Sequence, residues 1–367
     1  MKRFWILLKN RPVALCSVVV LIFLYLQMIF AEFIAPYRPD TVFPSLSYCP
    51  PSLVWNSVEN GFCPQVQKRV LLDEVTYRYA RIRGEHYKVK LFAKGEEYRL
   101  LGIFKTNIHL FGTEVPYKNE ADGELQNGKS LTYPVFLFGA DSLGRDIFSR
   151  VVYGSRVSLT IGIIAIFISL SIAVVLGGIS GYYGGAIDWI IMRVSEFFIL
   201  IPGLYLILFI RSLMSRTMDS GQSYMIITVI LAFVSWPGSA RLIRGMVHSM
   251  KREDFVVNAQ AEGVPAIVIL LKHIIPQLSS ILIISVTLGI PGYILGETTL
   301  SYLGLGIVDP AVSWGSLISR DATTVGSVIK YTWVIIPGVY LLVTTLAFNF
   351  IGEFLRDYFD PFHKSRN

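Results

Sequence analysis

The chain is poor in the groups that carry out covalent chemistry. It holds three cysteines and five histidines in 367 residues, and charged residues make up only 16% of it. No Cys-x-x-Cys pair and no Cys/His cluster with zinc spacing occurs, so no structural metal site is expected. His86, His109, His248, His273 and His363 are scattered, with neither a His-Glu-x-x-His helix nor a Gly-x-Ser-x-Gly turn in the chain. That removes the common zinc-hydrolase and serine-hydrolase frameworks. The net charge is +7, but no basic stripe is interleaved with aromatics that would stack on bases, so nucleic acid is not an expected partner. No catalytic group is expected on this chain.

Apolar residues are what the chain has in excess, at 53% of the total and a mean hydropathy of +0.54. Such a composition suits a polytopic membrane protein, where lipid replaces water around much of the surface. Six stretches reach the roughly 17–25 residues a spanning helix needs: 13–35, 157–178, 187–210, 224–242, 278–295 and 333–354. The first is longer than a signal-peptide core and lacks a clean small-x-small cleavage pattern, so it reads as an uncleaved anchor. Lys2, Arg3, Lys9 and Arg11 precede it. Arg241, Arg244, Lys251, Arg252 and Lys272 lie between the fourth and fifth stretches, and Arg356, Lys364 and Arg366 follow the sixth. With six spans all these cations share one side, which places both termini and the 241–272 loop in the cytosol. Cys16 reads as a small buried hydrophobe in the first span. Cys49 and Cys63 fall outside the cytosol, where a disulfide and two free thiols are both open.

Five segments follow. Residues 1–35 are a cytosolic N-terminus and anchor, and 36–135 a polar extracytoplasmic insertion. The insertion opens on Pro36, Pro39, Pro44, Pro50, Pro51 and Pro64, which reads as an extended linker. Alternation at Val75, Tyr77 and Tyr79 and at Tyr87, Val89 and Leu91, broken by turn-like GEH and KGEE, predicts a small β-rich domain. In 136–154, Ile147, Phe148, Val151 and Val152 form a stripe opposite Arg145, Asp146 and Arg150, the pattern of an interfacial helix running into the second span. Residues 155–354 carry the remaining spans and 355–367 a cytosolic tail. The outward segment 296–330 suits short re-entrant or interfacial helices.

Gly123–Ser130, GELQNGKS, fits the phosphate-loop pattern G-x-x-x-x-G-K-[ST]. YKNEAD precedes it where an apolar strand is required, and Pro134 follows closely, so the match is read as chance and any nucleotide site is placed on another chain. Within the spans, Arg193 and Glu196 are spaced to pair on one helix face. Glu297 reads as a cap for the following helix. Pro202, Pro237, Pro291 and Pro337 are expected to interrupt spans three to six.

The most informative segment is Glu253–Gln277, EDFVVNAQAEGVPAIVILLKHIIPQ. Asp254 is a candidate N-cap, Gly263 a stop, and Pro265 the first residue of a second helix. Ile267, Ile269, Leu270 and Leu271 give that second helix an apolar surface, with Lys272 and His273 at its C-terminal end where the dipole favours positive charge. A helix–glycine–helix hairpin between two spans suits docking into another protein's groove. The alternative is an amphipathic helix resting on the membrane surface.

This hairpin resembles the EAA loop of ABC importer permeases. Gly263 holds the glycine of that pattern and Ile274-Ile275-Pro276 its distal end. Val257 and Asn258 stand where the family usually has Glu and Ala, and Ala259 keeps the third position. FGADSLGRDIFSRVVYGSRVSL, GETTLSYLGLG with VSWGSLISRD, and LAFNFIGEFLRDYFDP are similar to blocks of the second-subunit permeases for dipeptides and oligopeptides. The resemblance covers 138–361, and 1–35 more loosely. It implies an all-α polytopic membrane protein with the six-helix type I importer fold, carrying an enlarged β-rich insertion. It also implies a non-catalytic subunit of the bacterial inner membrane that binds no cofactor itself. The implied partners are a second permease chain, two cytosolic ATPases holding Mg-ATP, an extracytoplasmic solute-binding protein, and lipid. Asp254, Ala259, Ala261, Gly263, Pro265, Ile274 and Pro276, within the loop 251–277, are the implied ATPase-coupling positions. Nickel or another small solute is the alternative cargo. A receptor with an extracytoplasmic ligand domain, or a stand-alone secondary transporter, is the alternative class.

Overall fold

A computed structural model describes residues 2–56, 63–73, 75–117, 131–213, 220–307 and 309–359. The phosphate-loop look-alike at 123–130 lies outside these. In chain order the elements open with three helices, α1 (Lys2–Lys9), α2 (Pro12–Ile29) and α3 (Ala31–Ile34). Five strands follow: β1 (Leu53–Asn56), β2 (Cys63–Asp73), β3 (Arg78–Lys88), β4 (Lys90–Leu100) and β5 (Phe104–Gly112). The long helices come next, α4 (Ile147–Tyr183), α5 (Gly185–Leu200), α6 (Gly203–Ser212) and α7 (Ser220–Met250). Three short helices, α8 (Asp254–Ala261), α9 (Ala266–Ile269) and α10 (Ile275–Gln277), lead to α11 (Ser279–Tyr302), α12 (Trp314–Asp321), α13 (Val325–Lys330) and α14 (Ile336–Phe359).

Among the described residues five helices are long and apolar enough to cross a membrane, or six if α5 and α6 form one broken span. Those two helices meet at 88° beside Pro202. The other prolines do not break their helices as expected. Pro237 and Pro291 lie inside continuous α7 and α11, and Pro337 sits in the first turn of α14, where its missing N–H is not needed. At about 1.5 Å per residue, the 37 residues of α4 extend for about 55 Å, well beyond the roughly 30 Å of a hydrocarbon core. The segment expected as a separate interfacial helix is therefore the first turns of α4 itself.

The chain divides into two compact units. One comprises residues 1–21, 159–299 and 343–367. Its core gathers Leu170, Ala173 and Tyr182 of α4, Trp236, Ala240, Ile243 and Val247 of α7, and Val256, Ala259, Ile269, Leu270 and Ile274 of the 254–277 hairpin. Gly177 and Gly181 set the approach of α4 to α7. A Cβ at either would overlap the backbone carbonyl of Ala240 or Arg244, so only glycine permits this crossing. Phe4 of α1 packs edge-on against Phe354 and Tyr358 of α14, and Arg11 pairs with Asp357 at 3.1 Å.

The other unit comprises residues 22–158 and 300–342. It holds a three-stranded antiparallel sheet, β1-β2-β3, and a two-stranded one, β4-β5. The proline-rich opening is not a free linker. Tyr37, Phe43, Leu46 and Cys49 are buried with Val66, Tyr117, Tyr133, Val135 and Phe136 in one core. GEH and KGEE are not turns. Each falls inside a strand at a register shift, with Gly84 at φ +91°. A glycine in that conformation lets a strand carry extra residues past its partner without ending. The true reversals are at 75–77 and 101–103.

Candidate functional site

The 254–277 hairpin starts as soon as α7 ends. Glu253 occupies the N-cap position without a side-chain cap bond, and Asp254 is the first helical residue rather than the cap. Its negative charge in the first turn still favours the helix dipole. The α8 helix ends at Gly263, whose φ of +78° lies in the left-handed region. The Gly263 N–H bonds the Gln260 carbonyl at 3.0 Å and the Val264 N–H bonds the Ala259 carbonyl at 3.0 Å, which satisfies the last carbonyls. Pro265 stands one position before α9, at its N-cap.

The second arm is not one regular helix. After α9 the backbone widens into a π turn at Leu270–Ile274, then tightens into α10. Pro276 supplies the cause, because it has no N–H for the carbonyl four residues back and its ring would collide there. The Ile275 N–H instead reaches the Leu270 carbonyl, five residues back. Such π turns mark positions where a helix trades regularity for a particular side-chain placement.

That placement divides the hairpin into two faces. Val256, Ala259, Ile269, Leu270 and Ile274 are buried against α4 and α7. Phe255, Val257, Ile267 and Leu271 are exposed. The apolar run expected to form a single outward surface is thus split: Ile269 and Leu270 belong to the core, while Ile267 and Leu271 remain outside. Ala261, Pro265, Lys272, His273 and Pro276 are also exposed. Gln260 Nε2 donates to the Tyr182 hydroxyl at 3.2 Å, and Lys251 lies over the Tyr182 ring at 5.4 Å. Behind the hairpin, Arg244 of α7 makes a two-pronged pair with Asp188 of α5, which also accepts from Ser180 of α4. Three helices are tied at the level where the hairpin is rooted. Asp188 was not singled out by sequence; its signal was an acid near the start of an apolar stretch.

Arg193 and Glu196 do pair, at 2.7 Å, on an exposed face of α5. Glu297 is fully buried within α11, which continues to Tyr302, so it does not cap a following helix. Cys49 is buried and a free thiol, its Sγ 3.6 Å from the Pro50 carbonyl, and burial pushes its pKa up to about 12. The expected alternative of a disulfide with Cys63 is therefore not formed at Cys49; the Cys63 side chain lies outside the described set. Cys16 is exposed, not buried, because its position on α2 faces away from the rest of the chain. Among the described residues no group of three or more His, Cys, Asp or Glu side chains is placed to hold a metal ion.

In the other unit, Arg145, Asp146 and Arg150 do not form a solvated face. All three are buried. Arg145 pairs with Asp141 at 2.7 Å, Arg150 reaches Asp309 at 3.2 Å, and Arg320 closes on the same Asp309. Asp321 accepts from the Ser142 backbone N–H at 3.2 Å. Partners more than 150 residues away thus cover a stripe that reads as polar and exposed in local sequence. Trp314, fully buried, donates from Nε1 to the Val151 carbonyl at 3.0 Å and fixes α12 on the start of α4.

Residues 173–364 match the family described as binding-protein-dependent transport system inner membrane component. The chain belongs to this family. Residues 1–51 of this transport component also match the N-terminal TM domain of oligopeptide transport permease C. It is 39% identical over 225 residues to the oligopeptide transport system permease protein OppC of Haemophilus influenzae, covering 61% of this chain and 70% of that protein. It is 33% identical over 269 residues to the dipeptide transport system permease protein DppC of the same organism, covering 71% of this chain and 88% of the relative. The glutathione transport system permease protein GsiD of Escherichia coli is 38% identical over 237 residues, 65% of this chain and 75% of that protein. The family match includes the whole hairpin, with its glycine and its proline-driven π turn, but not the strands of the 36–135 insertion.

Proposed function

We propose that this chain is a permease subunit of an ATP-driven importer of peptides, and that the 254–277 hairpin is where separate ATPase subunits take hold of it. The observation that carries this reading is the two-faced hairpin. One face is built into the core with α4 and α7, while Phe255, Val257, Ile267 and Leu271 stand exposed on the other. An apolar patch on a short helix is the kind of surface a groove in a partner receives. A surface rooted in a packed core passes displacement to that core, because close-packed interiors transmit strain. The hairpin then acts as a lever on α4 and α7, with the Arg244–Asp188 pair keeping α5 in step.

In this reading the hairpin and both termini are cytosolic, which the lysine and arginine placement supports. The insertion faces the other side, where a solute-binding protein delivers cargo. A second permease chain completes the path, and Mg-ATP is bound by the ATPases. Peptide cargo is favoured because relatives named for oligopeptide, dipeptide and glutathione transport are 33–39% identical to the chain over 225–269 residues. The chain itself contributes a path and a lever and no catalytic group.

Purification of the chain from its native membrane tests the docking. The wild-type chain brings down an ATPase. Replacing both Ile267 and Leu271 with Asp weakens that association by about 30-fold, as loss of a central apolar anchor does. Undiminished recovery of the ATPase from the double variant contradicts the assignment of this face.

A further inference from the structure

The β4–β5 hairpin has no counterpart in the function proposed above, and its chemistry points to a different partner. Its root is fastened to the end of the anchor helix. His109 of β5 donates to the Ala35 carbonyl through Nδ1 at 2.7 Å and sits 3.0 Å from the Glu96 carbonyl through Nε2. The Glu96 carboxylate accepts from Thr41 Oγ1 at 2.7 Å and from the Arg38 backbone at 3.1 Å. The Phe33 and Phe92 rings lie 6.1 Å apart. Ala35 and Phe33 belong to the segment that directly follows α2, itself long and apolar enough to span a bilayer. The root therefore stands at the membrane boundary.

The tip is apolar and exposed. Leu101, Gly102 and Ile103 reverse the chain, with the Gly102 N–H on the Arg99 carbonyl at 3.1 Å and the Ile103 N–H on the Leu100 carbonyl at 3.0 Å. Leu101, Ile103 and Phe104 are all exposed, Ile103 by 73% and Phe104 by 66%. Leu101 holds φ +51°, a conformation that favours Gly or Asn, so the apolar side chain is kept there against backbone preference. Immediately beneath, Arg99 and Lys105 are direct cross-strand partners. Two like charges opposite each other are unfavourable in water.

Water leaves both features unexplained, and an anionic bilayer accounts for both at once. Apolar side chains enter the acyl boundary while the cations just behind them meet lipid phosphates. The six residue steps from Glu96 to Gly102 give about 20 Å of reach at about 3.3 Å per residue. The headgroup layer is only about 5–8 Å deep on each side. We infer that the β4–β5 tip, residues 101–104, inserts into the headgroup–acyl boundary of the anionic membrane that holds the protein, with Arg99 and Lys105 on lipid phosphates. The insertion is thereby held against the bilayer at two points, the anchor helix and the tip. This inference goes beyond the importer reading and does not depend on it, since lipid contact is measured without nucleotide or ATPase.

The test uses the full chain in vesicles of phosphatidylcholine, with and without phosphatidylglycerol. Ile103→Cys is labelled with an environment-sensitive fluorophore, and the unsubstituted chain is labelled in parallel as background from the native cysteines. The expected result is blue-shifted emission, quenched by bilayer nitroxide lipids and more strongly in the anionic vesicles. Arg99→Glu with Lys105→Glu should abolish the anionic dependence while far-UV circular dichroism stays unchanged. If the cysteine variant fails to fold, Phe104→Trp read by the same quenching replaces it. Water-like, unquenched emission in both vesicle types overturns the inference. So does a shift that occurs only when the solute-binding protein is added, since the tip would then be a protein-docking site.

Discussion

Gly263 holds φ +78° with nothing within 4 Å of where a Cβ would stand. Any penalty for replacing it is therefore backbone strain rather than collision, about 1–2 kcal/mol for an ordinary side chain. Asn tolerates this conformation better than a β-branched residue. Gly263→Asn should preserve coupling, whereas Gly263→Val should shift the angle between the two arms and uncouple ATP hydrolysis from uptake. The check is ATPase rate and uptake measured in parallel on the same vesicles. Asp146 provides a second residue-scale expectation. Burial pushes its carboxyl up to about 7, offset in part by hydrogen bonds from Ser149 and added to by the charge of Asp141. Its Oδ1 is buried without a hydrogen-bond partner, as suits a protonated acid. The folded state thus binds the proton more tightly than the unfolded chain does. The stabilisation is fully present below about pH 4, the ordinary range of Asp, and is lost as pH rises through about 7. Thermal melting of the wild type should fall between pH 5 and about pH 8 more steeply than that of Asp146→Asn, which carries no titrating proton. Parallel slopes for the two proteins would exclude a raised carboxyl at this position.

At the scale of elements, the hairpin makes opposite predictions for neighbouring residues of like chemistry. Ile269→Asp puts a carboxylate into the core shared with α4 and α7, and should lower stability by several kcal/mol or abolish folding. Ile267→Asp, two positions away and exposed, should leave the melting temperature within about 2 °C while weakening partner binding. Melting curves of the two variants decide between a two-faced lever and a helix exposed all round. This division was only partly legible in the sequence. The apolar run 267–271 announced a contact surface, but the π turn that rotates Leu270 inward depends on Pro276 acting back through the chain. The long apolar runs disclosed nearly every span, because a bilayer demands length and apolarity whatever the tertiary structure. Other features were hidden because their cause is distant. Arg150 reads as a solvated residue until Asp309 is brought beside it, and the prolines of the insertion read as a linker until Phe43 and Tyr37 are seen to pack with Tyr117 and Phe136. The turn-like GEH and KGEE became bulges, since glycine serves a reversal and a bulge equally well in local sequence.

For the whole molecule, the described residues are mostly helical, with five or six apolar helices long enough to span a membrane and two small sheets, and the chain belongs to the inner-membrane transport family. Family membership follows from the match over 173–364, while direction, cargo and partners rest on the proposal. The central claim is that this chain carries no engine and receives work through the exposed face of the 254–277 hairpin. Peptide uptake into sealed vesicles is the direct test, with the solute-binding protein supplied in every preparation and the chain and its companion permease reconstituted alone, with ATPases, or with ATPases and the Ile267→Asp, Leu271→Asp variant. The account predicts nucleotide-dependent uptake only in the second preparation. Uptake driven by ATP without the ATPases, or undiminished uptake by the variant, would contradict it.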